Sequence, residues 1–275
     1  MLMRPMSDPV QQRARGAVRV GFFLDRGATR LCDLYQQGSA KAMLPRVYGT
    51  EPVAVLINTA GGLTGGDRFR YEATLGAGAR ATLATQTAER AYRAASDTAR
   101  VDVALRVGPG ARLDWLPQET ILFEGSALSR RLDLDLEGDA TALVLESVVL
   151  GRAAMGEMPA ALNFRDDWRI RRDGRLIHAE ALRLAPPLPS LRDSPAALGD
   201  ARAMATAVYL GADAADRLES VRAWPATPGV RMGASAWDGR LVLRWLAPTA
   251  QPLRVALIDF LTRFRDTPPP RVWTM

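Results

Sequence analysis

One pattern of strands and turns repeats four times between residues 69 and 184, and it constrains the fold more than any other feature. In the first two units, apolar residues alternate with polar ones and lead to turns at 76–78 and 108–110, which align at an offset of 32 residues. The third unit turns at 137–139, and the fourth turns at Asp173-Gly174, a dipeptide typical of hairpins. Because an alternating strand buries only one face, we predict that these hairpins stack as antiparallel sheets, in a β-helix-like or layered arrangement.

The pattern changes after residue 185, where a proline-rich segment ends the series of strands. Two further strands, 230–236 and 241–246, flank Asp238-Gly239, and apolar residues at helical spacing predict a helix over 252–265. We therefore predict a mainly β fold with two or three helices, mostly in the C-terminal third. We interpret residues 1–275 as a single domain, with a hairpin-repeat region at about 17–185 and a mixed helix and strand region at about 190–275.

Composition and hydropathy favour a globular protein of the cytoplasm. With 48% hydrophobic residues, the chain can bury a substantial core. The opening residues lack the apolar region of a secretory signal. The longest apolar stretch, 140–151, is interrupted by Glu146 and is too short to span a bilayer. We therefore expect a cytoplasmic protein with no membrane association.

Cysteine and histidine occur once each, as Cys32 and His178. A disulfide within the chain is therefore impossible, and a site built from several thiolates and imidazoles cannot form. Cys32 lies in an apolar segment, which predicts a buried side chain. The alternating strand around His178 predicts a structural histidine whose hydrogen bonds are satisfied.

The net charge of +6 comes almost entirely from arginine, because Lys41 is the only lysine. The arginines alternate with acidic residues along the strands, which favours solvated strand faces. The densest cluster is Arg169, Arg171 and Arg172. If that cluster binds a partner, both an acidic protein and a nucleic acid remain open.

A glycine-rich loop, residues 61–67, follows a short apolar strand. A nucleotide-binding loop needs a helix after its glycines, whereas residues 68–75 alternate as a strand. The four glycines instead predict backbone with positive φ or the close approach of another segment. We expect Asp67, at the end of the loop, to accept backbone N–H bonds from it.

At this loop and in five further blocks, the sequence resembles the UreD family of urease accessory proteins. The blocks are residues 34–46, 56–67, 82–93, 115–121, 150–157 and 270–273. The resemblance covers nearly the whole chain and is weakest at 190–235. The residues that match the motifs of the family are Gly61, Gly62, Gly65, Gly66, Asp67, Gln86, Tyr92, Arg93, Pro117, Gln118, Gly151, Arg152, Gly156 and Glu157.

The resemblance implies a β-rich accessory chaperone rather than an enzyme. Members of the family dock on the urease apoprotein and recruit UreF and the GTPase UreG, so that nickel is inserted into the urease active site. An internal passage has been proposed as the route of the metal. We therefore expect no tightly bound cofactor, only transient Ni²⁺, and UreF, UreG and the urease apoprotein as partners, with no nucleic acid. Arg271 and Trp273 are candidates for partner binding.

Three acidic residues are the candidates for lining such a passage: Asp67, Glu146 and Glu180. Carboxylates hold nickel weakly, in contrast to thiolates and imidazoles, and a carrier must release its ion. Aligning the third and fourth hairpins at their turns places Glu146 and Glu180 at equivalent positions of stacked return strands. An internal arginine–glutamate pair is the alternative explanation for Glu146 in its apolar surroundings.

Two other function classes remain open from the residues alone. Glu146 and Glu180 can serve as the acid and the nucleophile of a β-helical carbohydrate-active enzyme, with Trp115 and Trp168 as the nearest sugar-stacking side chains. The chain can also be an arginine-rich RNA-binding protein, whose affinity would fall steeply with salt.

Overall fold

The computed structural model describes residues 12–46, 51–265 and 267–274. The strands are β1 (Arg15–Asp25), β2 (Ala28–Gly38), β3 (Ala40–Met43), β4 (Val53–Asn58), β5 (Arg68–Leu75), β6 (Arg80–Thr85), β7 (Glu89–Ala91), β8 (Ala99–Val107), β9 (Arg112–Leu116), β10 (Thr120–Leu122), β11 (Ala127–Leu136), β12 (Thr141–Leu150), β13 (Asn163–Arg172), β14 (Arg175–Leu184), β15 (Ala203–Leu210), β16 (Arg231–Trp237) and β17 (Arg240–Ala247). The α-helices are α1 (Leu188–Asp193), α2 (Arg217–Ala223) and α3 (Ala250–Arg265). The predicted mainly β fold with helices late in the chain is confirmed.

The strands form two large sheets that face each other. The first sheet has seven strands in the order β14-β13-β11-β8-β5-β1-β2. The second sheet contains β16-β17-β15-β12-β9-β6-β4-β3, with the short strands β7 and β10 attached to it. From β4 to β13 the chain passes back and forth between the sheets, so each of the first three repeat units forms one coil of a β-helix-like stack. The predicted stacking is thereby confirmed.

The offset of 32 residues between the first two units, read from the sequence, is the register with which their strands pair. Leu75 pairs with Val107 in the first sheet, and Arg80 pairs with Arg112 in the second. The turns also stack, since the Gly108 amide donates to the Leu75 carbonyl at 2.8 Å. A shift by one residue would turn every inward side chain to solvent, so the apolar interior fixes this register.

The predicted antiparallel pairing is wrong for the first three units. The two strands of each unit, for example β5 and β6, lie in different sheets and pair in parallel with the strands of the next coil. Only the fourth unit, β13 and β14, is an antiparallel hairpin. Its turn residues Asp173 and Gly174 both have positive φ, as such a tight turn requires.

Two apolar layers hold the fold together. The main core lies between the two sheets and includes the inward residues of β5, β8, β11 and β13. The second core lies between the outer face of the second sheet and α3, whose Leu257 and Phe260 pack with Trp245 of β17. Arg265 at the end of α3 forms a buried ion pair with Asp114 of β9 at 2.6 Å.

The helix predicted over 252–265 is α3, and the predicted pair of strands around Asp238-Gly239 is β16 and β17. In the described part of the chain, no helix is long and apolar enough to cross a membrane. Cys32 is exposed, in contrast to our expectation, because it lies on β2, an edge strand of the first sheet whose side chains are mostly exposed. The interpretation of the chain as one domain stays a prediction.

Candidate functional site

A cavity of about 320 Å³ lies between the two sheets near the end of the stack. We call it the internal cavity. Glu146 reaches it from β12 of the second sheet, and Glu180 reaches it from β14 of the first sheet. Apolar side chains from both sheets and from the α1 region complete its wall, among them Trp168, Leu182, Leu191, Leu198, Met204 and Trp245.

A buried ion cluster forms one side of the internal cavity. The guanidinium of Arg130 donates two hydrogen bonds to Asp166, at 3.0 and 2.5 Å, and a further one to Oε2 of Glu146. The indole Nε1 of Trp115 donates to Oε1 of Glu146 at 2.9 Å. Arg130, Glu146 and Asp166 are each at most 6% exposed. The cluster therefore links the two sheets through charged side chains that are buried away from solvent.

The charges of this cluster do not balance when all of its members are ionised. Burial raises the pKa of Glu146 to about 7, and repulsion from Asp166 adds to the shift although Arg130 opposes it. Burial lowers the pKa of Arg130, but the attraction of Asp166 and Glu146 outweighs it, and the pKa lies above its ordinary value. One cation thus serves two carboxylates, and Glu146 is the carboxylate that takes up a proton.

The second predicted carboxylate, Glu180, lies nearer the surface. Its Oε2 accepts a hydrogen bond from Arg244 of β17 and lies 4.0 Å from Nε2 of His178. Both Glu146 and Glu180 therefore pair with arginines, which is the alternative that the sequence left open for Glu146. The alignment that made the two residues equivalent is wrong, because β12 and β14 belong to opposite sheets.

His178 is buried next to this group, but its hydrogen bonds are not satisfied as we expected. Its Nε2 atom has no hydrogen-bond partner among the described residues. Burial lowers the pKa of His178 to about 4, and the positive charges of Arg240 and Arg244 act in the same direction. The imidazole is therefore neutral at physiological pH.

Asp67 lies outside the set of residues that line the internal cavity. Its two carboxylate oxygens accept backbone hydrogen bonds from Ala14 and Thr64, each at 2.8 Å. This is the loop-bracing role that we expected from the chemistry of the motif. The structure thus brings together Glu146 and Glu180 but not Asp67.

The glycine-rich loop packs into a corner where the successive coils stack. Leu63 bridges to Ala91, Ala91 pairs with Leu122, and Leu122 pairs with Leu150. We call this stack the motif corner, because all fourteen family-motif residues lie in the segments that form it, 59–67, 86–98, 117–126 and 151–162. Gln86 and Gln118 lie at its border with the C terminus. The predicted backbone constraints are confirmed: Gly61, Gly62 and Gly66 have positive φ, and a Cβ atom at Gly65 would lie 2.1 Å from the Ser96 carbonyl oxygen.

Aromatic and charged motif residues form the surface of this corner. The rings of Tyr92 and Phe123 pack edge to face with centroids 5.1 Å apart. The guanidinium of Arg152 lies 4.6 Å from the Phe123 centroid and pairs with Glu157 at 2.8 Å. Tyr92 is 41% exposed, and the neighbouring Met155 is 73% exposed. Gly151 and Gly156 have positive φ and turn the chain around this group, and Arg93 is exposed beside Gly125.

The remaining motif residues anchor the C terminus. The side-chain amide of Gln118, which follows the buried Pro117, donates to the Gln86 carbonyl at 2.8 Å and to the Val272 carbonyl at 3.0 Å. Trp273 is 1% exposed and donates to the Leu116 carbonyl at 3.0 Å. The expectation that Trp273 binds a partner is at odds with this burial. Arg271 is exposed, and its role stays a prediction.

The sequence did not single out Arg130 and Asp166. Both occupy inward positions of alternating strands, between Leu128 and Leu132 and between Phe164 and Trp168. A charged residue at an apolar phase of the alternation is the signal that identifies them. No group of three or more His, Cys, Asp or Glu side chains within the described ranges is placed to hold a metal ion.

Comparison with known proteins agrees with the motifs. The family model described as UreD urease accessory protein matches residues 14–274. A urease accessory protein UreD of Dinoroseobacter shibae is 51% identical over 97% of this chain and 94% of its own. Those of Rhizobium leguminosarum bv. viciae and bv. trifolii are 48% and 49% identical over 96% of both chains.

These relatives are named as accessory proteins, which agrees with our prediction of a protein that is not an enzyme and speaks against the carbohydrate-active alternative. With a match that spans nearly all of its length, this chain belongs to the UreD family of urease accessory proteins.

Proposed function

We propose that this protein assists urease maturation in the cytoplasm as a platform that itself catalyses no reaction. It docks on the urease apoprotein and recruits UreF and the GTPase UreG, so that Ni²⁺ reaches the urease active site. The observation that carries the proposal is the family match over residues 14–274. The relatives named for urease extend over the same length, which supports a shared role for the whole fold.

The internal cavity is the part of the fold suited to a passing cation. Nickel is cargo here, and the carboxylates of Glu146 and Glu180 are oxygen ligands that hold it weakly. Each carboxylate is already paired with an arginine, Arg130 or Arg244. An entering cation must compete with these guanidinium groups, which favours brief occupancy over storage.

The protonation of Glu146 adds a second control. Burial raises the pKa of Glu146 to about 7, so an incoming cation displaces a proton from part of the population. Transfer past Glu146 therefore becomes easier as pH rises from 6 to 8, because the ionised carboxylate becomes more abundant.

Nickel content of urease tests the route. The protein is co-expressed with urease, UreF and UreG, and the nickel bound to purified urease is measured. For Glu180→Gln we expect at least a fivefold loss of nickel, about 1 kcal/mol in the transfer step, with unchanged capture of UreF and UreG. Glu72→Gln is the matched control, because Glu72 is also paired with an arginine but lies on the outer face of the first sheet. Full nickel loading by the Glu146→Gln, Glu180→Gln double variant would contradict the route.

Asp67 is tested separately, since it braces the motif corner instead of lining the cavity. We expect Asp67→Asn to lower the stability of the protein in proportion to any loss of nickel. A loss of nickel in urease with unchanged stability of the variant would instead indicate that Asp67 contributes directly to the nickel route.

The platform role is tested by affinity capture. The tagged protein is expected to retain UreF and UreG from a co-expressing lysate, and failure to retain either would contradict the proposal. Salt-sensitive retention of RNA without UreF or UreG would favour the RNA-binding alternative.

A further inference from the structure

The outer face of the first sheet carries a row of arginines that are in register across its strands. Arg15 pairs with Arg68, and Arg68 pairs with Arg100. Ser129 occupies the next position, and the row continues through Arg165 to Arg183. We call this set the arginine row: Arg15, Arg68, Arg100, Arg165 and Arg183.

The other rows of the same face are different, because they alternate in charge. The neighbouring row reads Arg70, Asp102, Arg131 and Asp167 across four adjacent strands. In the two rows beyond it, acidic residues also lie next to arginines on the adjacent strand, as in Asp133 beside Arg169 and Asp135 beside Arg171. Opposite charges on adjacent strands stabilise a sheet, so these rows need no partner.

The arginine row is not compensated in this way. Arg165 and Arg183 share one carboxylate, Asp167, at 2.5 Å each. Arg15, Arg68 and Arg100 are exposed and form no ion pair with any acid in residues 12–46, 51–265 or 267–274. Adjacent strands are only about 4.8 Å apart, and like charges at that position destabilise the sheet. The isolated protein therefore carries a repulsion that a negatively charged partner would relieve.

The shape of the surface also suits a partner. A groove of about 620 Å³ lies along the row at the position where Ser129 replaces an arginine. Arg100, Arg165 and Arg183 line it, with Asn163 and Thr98 at its end. The described helices α2 and α3 pack against strands of the second sheet and leave this face free.

We propose that the arginine row binds an acidic α-helix of a partner protein. The guanidinium fork pairs with carboxylates through two parallel hydrogen bonds, which suits arginine better than lysine. One helical turn is about 5.4 Å, close to the spacing of about 4.8 Å between strands. Acids at every third or fourth position of a helix laid across the strands can therefore meet successive arginines.

The neighbouring row argues against nucleic acid as the occupant. Asp102 and Asp167 lie two residues along the strands from Arg100 and Arg165, about 6.6 Å away. A phosphate backbone carries only negative charge and would lie over these carboxylates. A helix can present an acidic stripe to the arginine row and basic residues to Asp102 and Asp167 at the same time.

This inference goes beyond the proposed function, since it concerns neither the nickel route nor the identity of the urease partners. The probe is a fluorescent alanine-based helical peptide of about 20 residues, long enough to hold its helix in water. It carries glutamates at every third or fourth position and lysines along one flank. Binding to the full-length protein is followed by fluorescence anisotropy at low salt and at about 0.15 M salt.

We expect the peptide to bind and a peptide with glutamine in place of glutamate not to bind. The Arg68→Gln, Arg100→Gln double variant should lose at least tenfold in affinity, about 1.4 kcal/mol. Arg106→Gln should stay within twofold, because Arg106 lies on the same face in a row where Asp135 is its neighbour. Equal binding of the glutamine peptide, or equal losses in the two variants, would overturn the proposal.

Two further outcomes bear on it. Tighter binding of a single-stranded oligonucleotide than of the acidic peptide would overturn the choice of a protein partner. Without any partner, the double variant should unfold at a higher temperature than the wild type, because repulsion within the row is removed. A lower unfolding temperature would show that the arginines support the sheet, and the proposal would fail.

Discussion

Arg130 on the first sheet and Glu146 on the second form an ion pair across the interior of the coil. Asp166 holds the same guanidinium through two hydrogen bonds, and Trp115 holds Glu146 from the other side. Because the groups are buried, their net charge matters more than the number of their contacts. Arg130 pairs with both carboxylates, and its loss is therefore expected to reduce stability the most.

Replacing Arg130 with methionine is expected to destabilise the protein by about 3–5 kcal/mol at pH 8, because two buried carboxylates lose the one cation that pairs with them among the described residues. Glu146→Gln should change stability by less than about 1 kcal/mol, because it removes the excess negative charge and keeps an acceptor for Trp115. Urea unfolding followed by circular dichroism measures both. Equal losses in the two variants would contradict this view of the cluster.

The pH dependence of the Glu146→Gln variant gives an independent check. Since the pKa of Glu146 is raised from 4.5 to about 7, its favourable contribution is complete below pH 4.5 and is lost as pH rises through 7. The stability of the variant relative to the wild type should therefore improve between pH 5 and pH 8. A constant difference over this range would mean that Glu146 stays ionised throughout.

His178 should make the protein sensitive to acid in a different window. Its pKa is lowered from 6.5 to about 4, so its contribution is complete above pH 6.5 and is lost as pH falls towards 4. His178→Gln removes this titration, and the wild type should lose about 2 kcal/mol more than the variant between pH 7 and pH 4. Because the wild type and the His178→Gln variant both contain Glu146, the opposite pH effect of Glu146 cancels in the difference between their stabilities. Parallel pH profiles would rule the prediction out.

Two glycines of the motif corner differ in why they are required. Gly65→Ala should cost about 2–3 kcal/mol, because the new methyl group meets the Ser96 carbonyl and the backbone must move. Gly61→Ala should cost about 1 kcal/mol, because no atom of the described residues lies within 4 Å of the new methyl group and only the positive φ is unfavourable. Thermal unfolding measures the loss of stability in both variants. A larger loss of stability for Gly61→Ala than for Gly65→Ala would contradict the packing described for the motif corner.

The C-terminal anchor makes a prediction about two tryptophans. Trp273→Ala should destabilise the protein by about 3–5 kcal/mol, since its buried indole fills the core and bonds to Leu116. Trp237→Ala is the control, because that side chain is 41% exposed, and less than about 1 kcal/mol is expected. If Trp273→Ala left stability unchanged while abolishing partner capture, the surface role first expected for Trp273 would be restored.

Much of this fold could be predicted from periodicity. The alternation around 76–78 and 108–110 locates the strands, and their offset is the register of Leu75 on Val107. The pairing partner could not be predicted, because the same alternation serves a hairpin and a turn that crosses to the opposite sheet. Asp173-Gly174 is the exception, since its backbone conformation suits only the tight antiparallel turn.

The candidate site was predicted in part. An acid within the apolar run 143–149 indicated a buried carboxylate at Glu146, and the arginine alternative followed from the cost of burying it. The identity of its partner, Arg130, depends on which strands face each other across the interior. That information is absent from local patterns, as is the position of His178 beside Arg240 and Arg244.

Stacking of successive coils makes the length of this molecule a modular property, although the coils differ in length: the offset is 32 residues from Arg80 to Arg112 and 29 from Arg112 to Thr141. Each coil bonds only to its neighbours, as Arg80 does to Arg112, and the stack is closed at one end by the hairpin of β13 and β14. A tandem duplication of residues 76–107 would add one rung of about 4.8 Å to both sheets and leave the terminal hairpin intact. Evolution or a protein engineer can thus extend such a scaffold by whole rungs, while the loops between the strands accommodate differences in coil length.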